Sequence, residues 1–215
     1  MTQMNFSEMT LPEFTSYLAC GDAVPGGGGA SALAGCLGIC LGSMVAHLTA
    51  GKKKYADVQE EMDDLIEKTR TLRLELLALI DLDAEMFLPL SRAYSMPRGT
   101  RGEKDARDAV MKEALKNACR VPLQIMEKSC LTLELVHRVA DHGSAAAISD
   151  AGDAAVFCRS ALQAAALNVF INTKLMKDRE LADAYNLRAD SMLREFVPLA
   201  DRIYLQVLAR LRSGD

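Results

Sequence analysis

Four groups of residues in this chain have types and spacing that could do chemistry. The first is a carboxylate inside an apolar pattern. Leu76, Ile80, Asp83, Phe87 and Leu90 follow at steps of four, three, four and three, so Asp83 falls on the apolar stripe of a helix. An ionised group there is costly unless paired, and carboxylates so placed often have shifted pKa values and act as acids or bases. The bland alternative is a loop cap or a buried ion pair. Asp81, two residues earlier, points to the other side, which makes Asp83 the better candidate. The second group is Lys52, Lys53 and Lys54, which follow Gly51 at the end of an uncharged run. They suit the negative end of a helix dipole, or they serve a ligand as proton donor and anion holder. The third is Pro25-Gly26-Gly27-Gly28-Gly29, either a flexible turn or a loop whose N–H groups face an anion or a carbonyl oxygen. The fourth is Ser149 and Asp150 with Asn168 and Asn172. Asp150, Ala154, Phe157, Ala161, Ala165, Asn168 and Asn172 share one helical face. Asp150 and Asn168 lie 18 residues apart, about 27 Å along a helix. They meet in one small site only if an antiparallel partner helix brings Asn168 of one copy to Asp150 of another. The bland reading has the asparagines bridging helices and Ser149 and Asp150 at a helix start.

Other chemistries are excluded by pattern. The glycine run is no Walker A loop, because no Gly-Lys-Ser/Thr follows, and no strand precedes it as a dinucleotide fingerprint requires. His47, His137 and His142 form no zinc spacing, and no cysteine pair is C-x-x-C. Cys36 and Cys40 are one turn apart, but buried thiols acting as small hydrophobes explain them. A reduced, metal-free protein is expected. The net charge of −4 argues against a nucleic-acid binder. Met1 to Glu8 has neither basic flank nor apolar stretch, so the expectation is a cytoplasmic protein.

The elements that must position these groups read as helices throughout. Half the residues are hydrophobic, aromatics are only 5 %, and Ala, Leu and Met dominate, which favours helix. A short helix starts at Thr10-Leu11-Pro12-Glu13, a capping box, and ends near Cys20-Gly21. After the glycine break, residues 30–50 form an apolar helix. Its length allows a membrane span. The seven glycines between Pro25 and Ala46, the missing basic flanks and the lack of a second span favour instead a core helix buried on all sides. A long helix over 56–94 carries Met62, Leu65, Ile66, Thr69, Leu72, Leu76, Leu79 and Ile80 on one stripe. A loop over 95–102 precedes a second long helix over 103–140, which Pro122 should kink or break. Residues 141–144 form the next break. Residues 145–174 and 178–212 form the last helices, with Pro198 marking a bend and a stripe from Leu193 to Leu211. One all-α domain over 1–215 is expected, a bundle of about six helices, with apolar faces that need a second subunit. A homodimer or larger follows.

Taken in order, these segments resemble the cyclodeaminase/cyclohydrolase family. The matching stretches are Pro25-Gly26-Gly27-Gly28 with Ala32-Leu33-Ala34-Gly35; Leu48-Thr49-Ala50-Gly51-Lys52-Lys53-Lys54-Tyr55; Asp81-Leu82-Asp83-Ala84-Glu85-Met86-Phe87; and Ser149-Asp150-Ala151-Gly152 with Asn168-Val169-Phe170-Ile171-Asn172. The resemblance spans about Leu11 to Lys174. It implies an all-helical dimer with a folate pocket near the glycine loop and no tightly bound cofactor. Two positions depart from the family pattern: Gly29 stands where a serine is usual, and Ser144 where asparagine is frequent.

The implied substrate is a tetrahydrofolate derivative with a one-carbon bridge between N5 and N10. Hydrolysis of the 5,10-methenyl form adds water to a cationic carbon and releases N5. A carboxylate beside that carbon stabilises the cation and takes a proton from water, a role for Asp83 or Asp150. Lys52 is the expected proton donor, and Lys53 or Lys54 would hold the anionic glutamate tail. The Gly26–Gly29 amides, Ser149, Asn168 and Asn172 would bind substrate. The cyclodeaminase reaction, in which N10 attacks a formimino carbon and ammonia leaves, needs much the same groups. The unfused length leans toward cyclohydrolase. A non-catalytic helical protein that binds a folate or another protein is the rival from a different class.

Overall fold

The computed structural model describes residues 5–213. Among them there are six α-helices and no strand: α1 Leu11–Leu18, α2 Gly27–Thr49, α3 Gln59–Tyr94, α4 Arg101–His142, α5 Ile148–Thr173 and α6 Arg179–Ser213. Short 3-10 turns at Phe6–Glu8, Lys53–Val58 and Ala145–Ala147 fill the joins.

The local signals behind the helix starts are visible. Thr10 Oγ1 accepts from the Glu13 N–H, and Glu13 Oε2 accepts from the Thr10 N–H, which completes the expected capping box of α1. Thr100 and Glu103 repeat that box at α4 and start it at Arg101. Neither Pro122 nor Pro198 breaks a helix. Both lie inside continuous α-helices, as does Pro89 in α3. Pro122 is buried, and the packing of α4 against α2, α3 and α5 outweighs the hydrogen bond the ring removes.

At the centre, α2 and α5 run antiparallel in close contact. Gly27 faces Asn168, Gly35 faces Ala161, and Gly38 faces Cys158. A Cβ at Gly38 would lie 2.4 Å from Cys158 Sγ and 3.1 Å from the Ala154 carbonyl oxygen, so only glycine permits this approach. Helix α4 packs on both members of the pair, α3 closes on α2, and α6 closes on α5. The main core draws on α2 to α6, with Leu65, Leu76, Met126, Leu133, Leu162 and Ile203 fully buried. The α3 stripe is buried as its periodicity requires, except that Ile66 is only half-buried. In α6, Ala200, Ile203 and Val207 are buried, whereas Tyr204 and Leu211 are exposed.

The expectation that α2 is buried on all sides is corrected. Leu37, Met44 and Leu48 are each more than 40 % exposed on the side away from α4. The same side of α5 exposes Phe157, Leu167 and Ile171, the last two at 68 % and 58 %. The expectation of no second span is corrected too, because residues 145–173 also have the length and apolarity to cross a membrane. In the bundle, both segments are central packing helices whose buried faces meet each other and α4.

Candidate active site

The glycine run is not the flexible break its composition suggests. Gly26 is the N-cap, and α2 is already helical from Gly27. A side chain from 54 residues away meets this helix start. Helix α3 delivers Asp83 to the N-terminus of α2, where Oδ2 accepts from the Gly29 N–H at 3.0 Å. The carboxylate rests against the Cα of Gly28. A Cβ at that position would lie 2.1 Å from Oδ1, so glycine is required for Asp83 to reach the helix end. Unsatisfied N–H groups and the positive end of the dipole make this a natural seat for an anion. Burial nevertheless dominates and pushes the Asp83 pKa up to about 6, against the lowering effect of the Gly29 N–H. A carboxylate with that pKa is poised to exchange protons near neutrality.

Asn168 and Asn172 complete the polar lining from the C-terminal end of α5. Asn168 Nδ2 donates to the Ala164 carbonyl at 2.9 Å and its amide head faces Gly27. Asn172 is buried and donates to the Ala118 carbonyl at 3.0 Å. Gly26, Gly27, Gly28, Asp83, Asn168 and Asn172 thus surround a cavity of about 100 Å³. Its apolar wall includes Val24, Phe87, Ala118, Pro122 and Ile171. Of these five, Phe87 and Ile171 fall inside stretches that carry the family resemblance, while Val24, Ala118 and Pro122 lie outside them. Gly29 does not line this cavity and packs instead on Ile80 and Pro25. Asp81 plays a structural part, since its Oδ1 accepts from the Phe6 N–H at 2.6 Å and the Ser7 hydroxyl donates to its other oxygen.

The remaining candidates lie at the other end of the α2–α5 pair. Gly51, at φ +76°, turns the chain after α2. Lys52 Nζ then donates to Ser144 Oγ at 3.2 Å, while the Ser144 N–H donates to Thr49 Oγ1 at 2.8 Å. Tyr55, which residue spacing alone does not single out, accepts from the Ala145 N–H at 3.1 Å. That bond is the main cause of a lowered Tyr55 pKa. Lys54 Nζ sits 5.5 Å from the Tyr55 ring centre, and Lys53 is exposed. Ser149 and Asp150 occupy the first turn of α5, just after this cluster. With 23 residues, α2 is about 34 Å long. Asp83 therefore cannot meet Lys52 or Asp150 of its own chain. Among the described residues there is no cluster of three or more His, Cys, Asp or Glu suited to a metal.

An all-helical bundle with a buried carboxylate on a glycine-built helix N-terminus belongs to a recognisable class. Residues 10–191 match the family described as formiminotransferase-cyclodeaminase, and the chain belongs to that family. It is 39 % identical to the methenyltetrahydrofolate cyclohydrolase of Methylorubrum extorquens over 202 residues, 94 % of this chain and 97 % of that one. It is 29 % identical to the formimidoyltransferase-cyclodeaminase of Rattus norvegicus over 193 residues, 90 % of this chain but only 36 % of the rat protein. Among solved structures, it is similar to the formiminotetrahydrofolate cyclodeaminase of Thermotoga maritima. The TM-score is 0.76 at 28 % identity, over 96 % of this chain and 97 % of that one.

Proposed function

We propose that this protein is an enzyme that hydrolyses 5,10-methenyltetrahydrofolate to 10-formyltetrahydrofolate, and that its active site is shared between two subunits. The observation that carries the reading is the Asp83 carboxylate, buried against the N-terminus of α2 in a polar notch, with a pKa of about 6. Near-complete coverage of a cyclohydrolase at 39 % identity supports the same reaction.

In this mechanism, ionised Asp83 faces the amidinium-like bridge and takes a proton from the attacking water as the new C–O bond forms. The tetrahedral carbon then collapses. As the bond to N5 breaks, the carbinol hydroxyl loses its proton to solvent to give the C=O, N5 leaves with a proton donated to it, and the carbon stays on N10 as a formyl group. The exposed stripe of Leu37, Met44 and Leu48 with Phe157, Leu167 and Ile171 supports a homodimer, because so much contiguous apolar surface favours a partner. Ile171 is both part of that stripe and a wall of the notch. A two-fold axis across the stripe, with α2 antiparallel to its copy, sets the far end of one subunit over the notch of the other. The partner subunit's Lys52 then supplies the proton to N5, and its Ser149 and Asp150 reach the rim. No cofactor or metal enters the scheme, and six unpaired cysteines accord with a cytoplasmic location.

The test is direct. Purified protein should bleach the ultraviolet band of methenyltetrahydrofolate much faster than buffer does, and Asp83→Asn should lose about 100-fold or more while keeping its circular dichroism. Wild-type rates in that variant would remove Asp83 from the mechanism. The likeness to the Thermotoga cyclodeaminase favours one alternative, ring closure of 5-formiminotetrahydrofolate with release of ammonia. Formation of the methenyl band with ammonia from that substrate, without hydrolytic bleaching, would select it.

A further inference from the structure

Three lysines follow α2, and only one of them is aimed. Lys53 is exposed, and Lys54 lies over the Tyr55 ring. Lys52 is exposed too, yet its Nζ donates to Ser144 Oγ at 3.2 Å, across 92 residues of chain. An unheld lysine spreads its ammonium over many rotamers, and that freedom is lost when the nitrogen is kept in one place. A group that must meet the same substrate atom at every turnover therefore needs a holder.

Ser144 is built to be that holder. It is buried where the α4–α5 joint meets the end of α2. Gly143 lets it in, since a Cβ there would lie 2.3 Å from the Val139 carbonyl oxygen and 2.7 Å from Val45 Cγ1. The Ser144 N–H donates to Thr49 Oγ1 at 2.8 Å, and the fully buried Thr49 hydroxyl donates to the Val45 carbonyl at 2.7 Å. The backbone of Ser144 is thus anchored to α2 without its own side chain, and the hydroxyl is left for other work. That hydroxyl also hydrogen-bonds to Tyr55, whose oxygen accepts the Ala145 N–H at 3.1 Å. A lysine ammonium can only donate, so Ser144 turns its proton to Tyr55 and a lone pair to Lys52. The holder is neutral, and none of the ion pairs among the described residues involves Lys52. A carboxylate in its place would fix the nitrogen but cancel its charge. A hydroxyl fixes it and leaves the charge and the remaining hydrogens for a ligand.

We propose that Ser144 is a positioning residue for proton transfer: its hydroxyl, oriented by Tyr55, holds the Lys52 ammonium at the end of α2, where it meets the Asp83 notch of the neighbouring subunit. The proposal rests on the shared-site reading above and deepens it. It gives Ser144 and Tyr55 a part in turnover, although both act through Lys52.

The experiment follows methenyltetrahydrofolate hydrolysis by the full-length protein. Ser144→Ala should lower kcat about tenfold and change KM less than about twofold, with an unaltered circular dichroism spectrum. Ser144→Asn, whose carboxamide oxygen can accept from the ammonium, should recover most of that loss. Mixed dimers of Asp83→Asn and Lys52→Ala subunits then show where Ser144 acts, because their intact site takes Lys52 from the Asp83→Asn chain. Ser144→Ala added to that chain should cut the restored activity about tenfold, whereas the same change on the Lys52→Ala chain should alter it less than about twofold. Wild-type kcat in Ser144→Ala, a loss that Ser144→Asn does not recover, or equal losses from either chain would overturn the positioning role. If the mixed dimers restore nothing, the shared site fails instead. The kcat loss and its recovery by Ser144→Asn then decide the role of Ser144 by themselves.

Discussion

Asp83 should make the protein less stable in return for its chemistry, and the size of that cost can be worked from the structure. Its pKa rises from 3.8 to about 6 on folding, chiefly through burial. The native state therefore holds this proton more tightly than the unfolded chain does. Stability falls as pH climbs between those two values, and the whole penalty is present above about 6. At about 1.4 kcal/mol per pH unit, the cost at pH 7.5 is at most about 3 kcal/mol. Asp83→Asn removes the charge, keeps the shape and still offers an oxygen to the Gly29 N–H. In urea titrations at pH 7.5, the variant should be more stable than wild type by up to about 3 kcal/mol, at unchanged m-value. At pH 3.5 the two should coincide within about 0.5 kcal/mol. An inactive variant that is destabilised at pH 7.5 would refute the reasoning. It would mean that the Gly29 N–H and the helix dipole outweigh burial, and that Asp83 is a structural cap.

The same carboxylate sets a pH profile. A base must be ionised to accept a proton, so log kcat/KM for hydrolysis should rise with pH up to about 6 and level off above it; a flat profile through that region would oppose the assignment. Gly28→Ala places a Cβ 2.1 Å from Asp83 Oδ1, and should cost about 1–3 kcal/mol of stability and most of the activity. An active Gly28→Ala enzyme with unchanged Tm would contradict the close contact. Leu167→Glu puts a charge on the exposed α5 stripe, and light scattering should show the monomer mass in place of the dimer, with hydrolysis lost. A wild-type protein that is itself monomeric and fully active would remove the shared site.

Helical identity was legible because tight periodicity and good helix formers leave little room for another reading. Met62, Leu65, Thr69, Leu72, Leu76, Leu79 and Ile80 are buried as their spacing demands. What misled was local chemistry that distant residues override. Gly27, Gly28 and Gly29 look like a loop by propensity, yet they form the first turn of α2, packed against Asn168 and Asp83 from other parts of the chain. Pro122 looks like a break, yet buried packing carries α4 through it. Asp83 itself could be picked out, because a charge on an apolar stripe violates the pattern at a single position. Its distance from Lys52 could not, because only the folded chain places Asp83 at the N-terminus of α2.

Subunit mixing tests the shared site most directly. Asp83→Asn and Lys52→Ala variants, each inactive alone, would be co-refolded at equal concentration and assayed for methenyltetrahydrofolate hydrolysis. Random pairing makes half the dimers mixed, each with one intact site, so about a quarter of wild-type activity should return. If the mixture stays as inactive as its components, while cross-linking shows that mixed dimers have formed, Asp83 and Lys52 do not act across a subunit boundary.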